Sequence, residues 1–112
     1  MSKREHELYL KDILDCVDKI ESYITGMSFE AFNNDAKTID AVVRNIEIIG
    51  EAARSIPKEI IAQTPEIPWR KMSDTRNRVL HEYFEVDTSI LWQTITEDLP
   101  PLKEQIKTLL ES

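Results

Sequence analysis

Apolar residues recur along this chain at steps of three and four residues, and that spacing restricts the folds open to it. No window alternates apolar and polar residues as a half-buried strand does, and only two glycines are available for tight turns. The pattern therefore predicts an all-α fold. The length of 112 residues suits a single domain, 1–112. The clearest series of apolar positions is Leu10, Ile13, Leu14, Val17, Ile20 and Ile24.

The helix boundaries are predicted from residues that favour helix ends. Gly26 is a suitable stop for the first helix, Asp35 a suitable N-cap for the second, and Pro57 begins a short one. Because a proline lacks a backbone donor and crowds the preceding turn, Pro100 and Pro101 should kink or split the last helix. The expected architecture is a four- to five-helix up-and-down bundle. The predicted helices cover approximately residues 5–25, 36–55, 57–63, 70–83 and from 87 or 88 onwards.

Several classes of protein are disfavoured by the residues present. The apolar runs are too short to span a membrane, and the N-terminus MSKREHELYL lacks a signal-peptide core, so we expect a cytoplasmic protein. Cys16 has no companions at zinc spacing and suits a core position. Glu47 and Glu51 lack a Glu-x-x-His companion and are interpreted as surface or partner-facing carboxylates, with Glu51 a candidate counter-ion for Arg54 or Arg76. No metal and no cofactor is expected.

The charge of the chain is unevenly distributed. A net charge of −7 argues against nucleic acid, because Lys and Arg contacts to phosphate supply most of that affinity. Residues 54–82 depart from the average, with six basic against four acidic side chains. This segment contains most of the stretch RNRVLHEYF, 76–84. A small anion site and an ordinary mixed-charge surface explain the segment equally well.

On an ideal helix, RNRVLHEYF places Arg76 at the centre of an apolar arc with Tyr83 on the same strip, whereas Asn77 and His81 share the next strip. Arg76 and His81 then point about 140 degrees apart. An arginine among apolar residues needs a carboxylate such as Asp74, or borders a cleft. One interpretation is a structural arginine with a core histidine. The other is an anion site, since arginine binds phosphate bidentately and histidine titrates near neutrality.

The spacing Arg76-x4-His81-x-Tyr83 resembles the R-x4-H-x-Y motif of HEPN-domain proteins, specifically the HepT-like toxins of bacterial and archaeal toxin–antitoxin pairs. The blocks RNIEIIGEAA (44–53) and IPWRKMSDTRNRVLHEYFEVD (67–87) are similar to the signature blocks of that group. The stretch DLPPLKEQI in the last helix is also typical. The resemblance covers nearly the whole chain and implies a four- to five-helix bundle.

This resemblance implies a metal-independent endoribonuclease, the toxin of a type VII toxin–antitoxin system. Arg76 would neutralise the scissile phosphate, His81 would act as general base or acid, and Asn77 would support them. The RNA 2′-hydroxyl would attack its own phosphate and leave a cyclic phosphate end. The family works as a homodimer that joins two motifs, and a higher oligomer with the antitoxin stays open.

The resemblance also implies a protein partner, a minimal nucleotidyltransferase antitoxin of the MntA type that adenylylates Tyr83. Negative charge added there would compete with RNA phosphate for Arg76. Two alternatives stay open. In the first, the chain is a non-catalytic helical subunit that only binds the nucleotidyltransferase and is not a ribonuclease. In the second, it is a helical module that binds a nucleotide at the basic segment without turnover.

Overall fold

The apolar series of the sequence form the buried faces of helices in a computed structural model that describes residues 3–80 and 85–111. The prediction of an all-α fold is confirmed, since every extended element in this part of the chain is an isolated bridge. The elements are α1 (Lys3–Ile24), α2 (Phe29–Asn33), α3 (Ala36–Arg54), α4 (Lys58–Gln63), α5 (Trp69–Val79), α6 (Thr88–Gln93), a π-helical stretch (Thr94–Asp98) and α7 (Leu99–Glu111).

The predicted capping residues lie at the ends of these helices. Gly26 follows α1 with a φ of 77°, a left-handed conformation that glycine adopts without steric cost. The side chain of Asp35 accepts a hydrogen bond from the Thr38 amide at 3.0 Å and begins α3. The side chain of Asp87 does the same for Ile90 at 3.1 Å and begins α6. Local capping therefore fixes where both helices start.

The core lies between α1, α3, α5 and α7, and α3 packs against both α1 and α5. Cys16 is buried there, and this burial raises the pKa of its thiol. Trp92 packs its ring on Phe32 with the ring centroids 5.1 Å apart. In the two described stretches of the chain, no helix combines the length and apolar character needed to cross a membrane.

The last long helix runs from Thr88 to Glu111 and contains the predicted irregularity. It takes the form of the π-helical stretch Thr94–Asp98, which ends two residues before Pro100. A proline in a regular helix would crowd the carbonyl four residues earlier, and for Pro100 and Pro101 these carbonyls lie within this wider turn. The two prolines are therefore accommodated without dividing the helix.

One predicted boundary is wrong. The third long helix was expected to reach residue 83, but α5 ends at Val79. Leu80 is extended, with φ −107° and ψ 129°, and forms an antiparallel bridge with Val86. The amide of Asp87 also donates to the Val79 carbonyl at 2.7 Å. The helix ends early because Leu80 and the Val79 carbonyl pair with Val86 and Asp87, the residues just before α6.

Candidate functional site

Arg76 lies at the edge of the buried face of α5. That face consists of Trp69, Met72, Thr75 and Val79. Leu80, which the prediction placed in the apolar arc around Arg76, lies beyond the end of α5, and the side chain of Arg76 is 38% exposed. The predicted angle of about 140 degrees between Arg76 and His81 involves a residue outside the described part of the chain and stays a prediction. Arg76 is therefore a half-exposed cation beside the core.

The acidic partner of Arg76 comes from α3. Glu47 Oε1 lies 4.0 Å from Arg76 Nε, and the carboxylate side chain is 30% exposed. The sequence interpretation considered Asp74 and Glu51, but both side chains are exposed, and Glu47 faces α5 in their place. Glu47, which was interpreted from the sequence as a surface or partner-facing carboxylate, is thus a residue of the site.

Two further contacts hold α3 and α5 together beside this pair. A Cβ added to Gly50 would lie 3.4 Å from the Met72 carbonyl oxygen and 3.5 Å from that of Ser73, so the helix backbones approach closely. Arg54 Nη2 donates to the Ser73 carbonyl oxygen at 3.0 Å. Arg54 therefore binds the backbone of α5.

A depression of about 260 Å³ opens next to the ion pair. Its described lining residues are Asp40, Val43, Arg44, Glu47, Leu80 and Val86. Leu80 and Val86 also form the antiparallel bridge that follows α5. The bridge between Leu80 and Val86 therefore lies at this depression, which Glu47 of α3 also lines.

Of the three remaining predicted site residues, Asn77 lies in the described part of the chain, whereas His81 and Tyr83 do not. Asn77 is exposed on α5, next to Arg76 in sequence. His81 and Tyr83 lie outside the described residues, so their predicted roles stay predictions. Among the residues that are described, no three side chains of His, Cys, Asp or Glu are grouped to hold a metal ion.

A helical bundle that carries a half-exposed arginine at the head of the spacing Arg76-x4-His81-x-Tyr83 has the features expected of a HEPN-type domain. A family model described as "Ribonuclease HepT-like" matches residues 13–109. The match covers most of the chain, and the protein belongs to this HepT-like family.

Proteins from archaea and bacteria are similar over nearly the whole chain. "Probable ribonuclease HepT" of Thermococcus cleftensis is 45% identical over 107 residues, which cover 96% of this chain and 97% of that protein. A "Putative RNase" of Caldanaerobacter subterraneus is 38% identical, covering 92% of each chain. Another "Putative RNase", of Methanocaldococcus jannaschii, is 35% identical over 99% of this chain and 92% of its own. No solved structure was found to match.

Proposed function

We propose that this protein is a metal-independent endoribonuclease that uses Arg76 and His81, and that it is the toxin of a type VII toxin–antitoxin system. Membership of the HepT-like family and the names of its relatives support RNA as the substrate. The observation that carries the proposal is Arg76, a half-exposed guanidinium beside an open depression. Such a group binds phosphate bidentately.

The proposed reaction breaks the RNA backbone by internal transfer. His81 removes the proton of the 2′-hydroxyl, and the resulting oxygen attacks the neighbouring phosphorus. The bond from phosphorus to the 5′-oxygen breaks, and that oxygen takes a proton from a general acid. The products are a 2′,3′-cyclic phosphate and a free 5′-hydroxyl. Arg76 neutralises the charge that grows on the non-bridging oxygens, and Asn77 supports the motif.

The proton balance of this reaction supports a homodimer. One histidine cannot accept the 2′-hydroxyl proton and donate to the leaving oxygen in the same step. His81 is one of only two histidines in the chain, and the other, His6, lies in α1 far along the sequence. A second copy of the chain supplies the second acid–base group and a second Arg76.

Cleavage assays with two single-histidine variants test the catalytic assignment. Wild type is expected to cleave RNA in the presence of EDTA, and His81→Ala to lose most of this activity, about 100-fold or more. His6→Ala is the matched control and should cleave as wild type does. Equal cleavage by wild type and His81→Ala, or none by either, would remove the catalytic role of His81.

Regulation is proposed to act on the same motif in the cytoplasm. A minimal nucleotidyltransferase of the MntA type would transfer AMP from ATP to the Tyr83 hydroxyl and release pyrophosphate. The added phosphate would compete with RNA for Arg76. Incubation of the protein with such a partner and ATP should modify wild type but not Tyr83→Phe. A Tyr83→Phe protein modified to the same extent would show that the target is another residue.

A further inference from the structure

We infer that Glu47 is a positioning residue that holds the Arg76 guanidinium so that its outer edge faces an incoming phosphate. The contact itself is a feature of the fold, whereas its catalytic consequence rests on the ribonuclease function proposed above. Glu47 does not need to touch RNA for this role. It acts through Arg76.

The atoms in contact define the orientation. A guanidinium offers a bidentate acceptor two edges, one formed by Nε with an Nη and the other by the two Nη atoms. Glu47 Oε1 lies 4.0 Å from Nε, an ion-pair contact on the side of the inner edge and longer than a hydrogen bond. The outer edge with both Nη atoms then stays available to a phosphate. Without Glu47, the long side chain of Arg76 would sample several rotamers.

The packing of α3 on α5 places Glu47 opposite Arg76. Gly50 of α3 lies against Met72 and Ser73 of α5, and Arg54, one turn later in α3, reaches the Ser73 carbonyl oxygen with its long side chain. Moving three residues back from Gly50 reaches Glu47, and moving three forward from Ser73 reaches Arg76. The contacts at Gly50 and Glu47 therefore run in opposite chain directions along α3 and α5, as in an antiparallel helix pair.

The energetic contribution of this pair fits orientation better than stability. Both side chains are about one-third exposed, and ion pairs with this exposure add little to the free energy of unfolding. The carboxylate also lies beside the depression, where its negative charge opposes RNA phosphate. Glu47 should thus weaken RNA binding slightly while it raises the rate of the bound complex.

Substitutions that replace a carboxylate on α3 with a neutral amide separate this role from a structural one. For Glu47→Gln we expect kcat to fall about tenfold, since a misplaced Arg76 no longer stabilises the transition state. An oligonucleotide with 2′-deoxy sugars cannot be cleaved by this route and serves to measure binding. Its Kd for Glu47→Gln should equal that for wild type or be about twofold lower. Glu51→Gln removes the same charge one turn further along α3, away from Arg76, and should leave both quantities unchanged.

A structural role for Glu47 would give a different result. In that case Glu47→Gln would lower kcat and RNA binding together, in proportion to the loss of folded protein measured by urea denaturation. That outcome, or a Glu47→Gln enzyme with the kcat of wild type, would overturn the inference.

A measurement without RNA tests the role of Glu47 separately from the proposed ribonuclease function. The 15N and 1H resonances of the Arg76 Nε–H group are sensitive to the charge of a carboxylate nearby and are assigned by their loss in Arg76→Lys. They should shift in Glu47→Gln and not in Glu51→Gln. An unchanged resonance in Glu47→Gln overturns the inference. A shifted resonance in a protein that cleaves no RNA would instead refute the ribonuclease proposal.

Discussion

At the scale of single residues, this fold depends on polar side chains that join elements through the core as well as on apolar packing. Trp69 is buried at the start of α5, and its Nε1 donates to the Thr64 hydroxyl oxygen at 2.9 Å. That hydroxyl in turn donates to the Ile60 carbonyl oxygen at 2.7 Å. The end of α4 and the start of α5 are therefore joined by one buried hydroxyl, which also fixes the origin of the helix that carries Arg76.

Removing this hydroxyl should destabilise the protein measurably. Thr64→Val keeps the shape of the side chain but leaves the buried Trp69 indole without an acceptor. We expect the free energy of unfolding to fall by about 1–3 kcal/mol, measured by urea denaturation. Thr108→Val is the control, because its exposed hydroxyl donates to the carbonyl of Glu104 in the same way. Equal losses in both variants would contradict the importance of the indole contact.

At the scale of helices, the start of α3 depends on a titrating cap. The Thr38 amide and hydroxyl both donate to the Asp35 carboxylate, and they lower the pKa of this group from its ordinary value of 3.8. Because the folded pKa is the lower one, the stabilisation is complete above the unfolded pKa. It is lost as the pH falls through the folded pKa.

Asp35→Ala should therefore lower the urea midpoint at pH 6, and the difference from wild type should shrink once the pH falls below 3.8. Urea denaturation at several pH values measures this. Asp35→Asn serves as the control, since it retains an acceptor for the Thr38 amide but does not titrate in this range. A difference between wild type and Asp35→Ala that stays constant down to pH 3 would contradict the assignment.

The contact of α3 with α5 at Gly50 makes opposite predictions for small and large side chains. A Cβ at this position would lie 3.4 Å from the Met72 carbonyl oxygen, an ordinary contact distance. Gly50→Ala should keep the fold and gain up to about 1 kcal/mol from helix propensity. Gly50→Leu must push α5 away, and it should lower both the thermal midpoint and RNA cleavage, because Arg76 moves with α5. A Gly50→Leu protein as stable as Gly50→Ala would show that the helices are not tightly packed there.

The sequence was sufficient for features that depend on local chemistry. The ends set by Gly26, Asp35 and Asp87 depend on residues within one turn of the helix end. The end of α5 was missed because Leu80 pairs with Val86, six residues later, and helical periodicity contains no information on such pairing.

Only part of the site was predictable from the sequence, again because one of its contacts joins residues far apart in the chain. Arg76 was recognisable from its place in the motif, whereas its partner Glu47 lies 29 positions earlier in the chain, and only the packing of two helices shows that they meet. A partial signal lies in the spacing of Glu47, Gly50 and Arg54 along α3. That spacing predicts one face towards a neighbouring helix but not the residue it meets.

At the scale of the whole molecule, the proposed chemistry requires two chains. We expect sedimentation equilibrium to give twice the chain mass of 13.0 kDa at concentrations where RNA is cleaved. On dilution, activity per chain should fall together with the fraction of dimer. Full activity per chain from a species with the mass of one chain would contradict the requirement for a second His81.

The most direct test of the central claim asks whether the RNA attacks itself. An RNA oligonucleotide and a copy with one 2′-deoxy sugar at the cleavage position are incubated with wild-type protein in EDTA, and the ends of the fragments are identified by mass spectrometry. The account predicts cleavage of the RNA to a 2′,3′-cyclic phosphate and a 5′-hydroxyl, and no cleavage at the deoxy position. Cleavage of both oligonucleotides at that position, or a product with a 5′-phosphate, would contradict it.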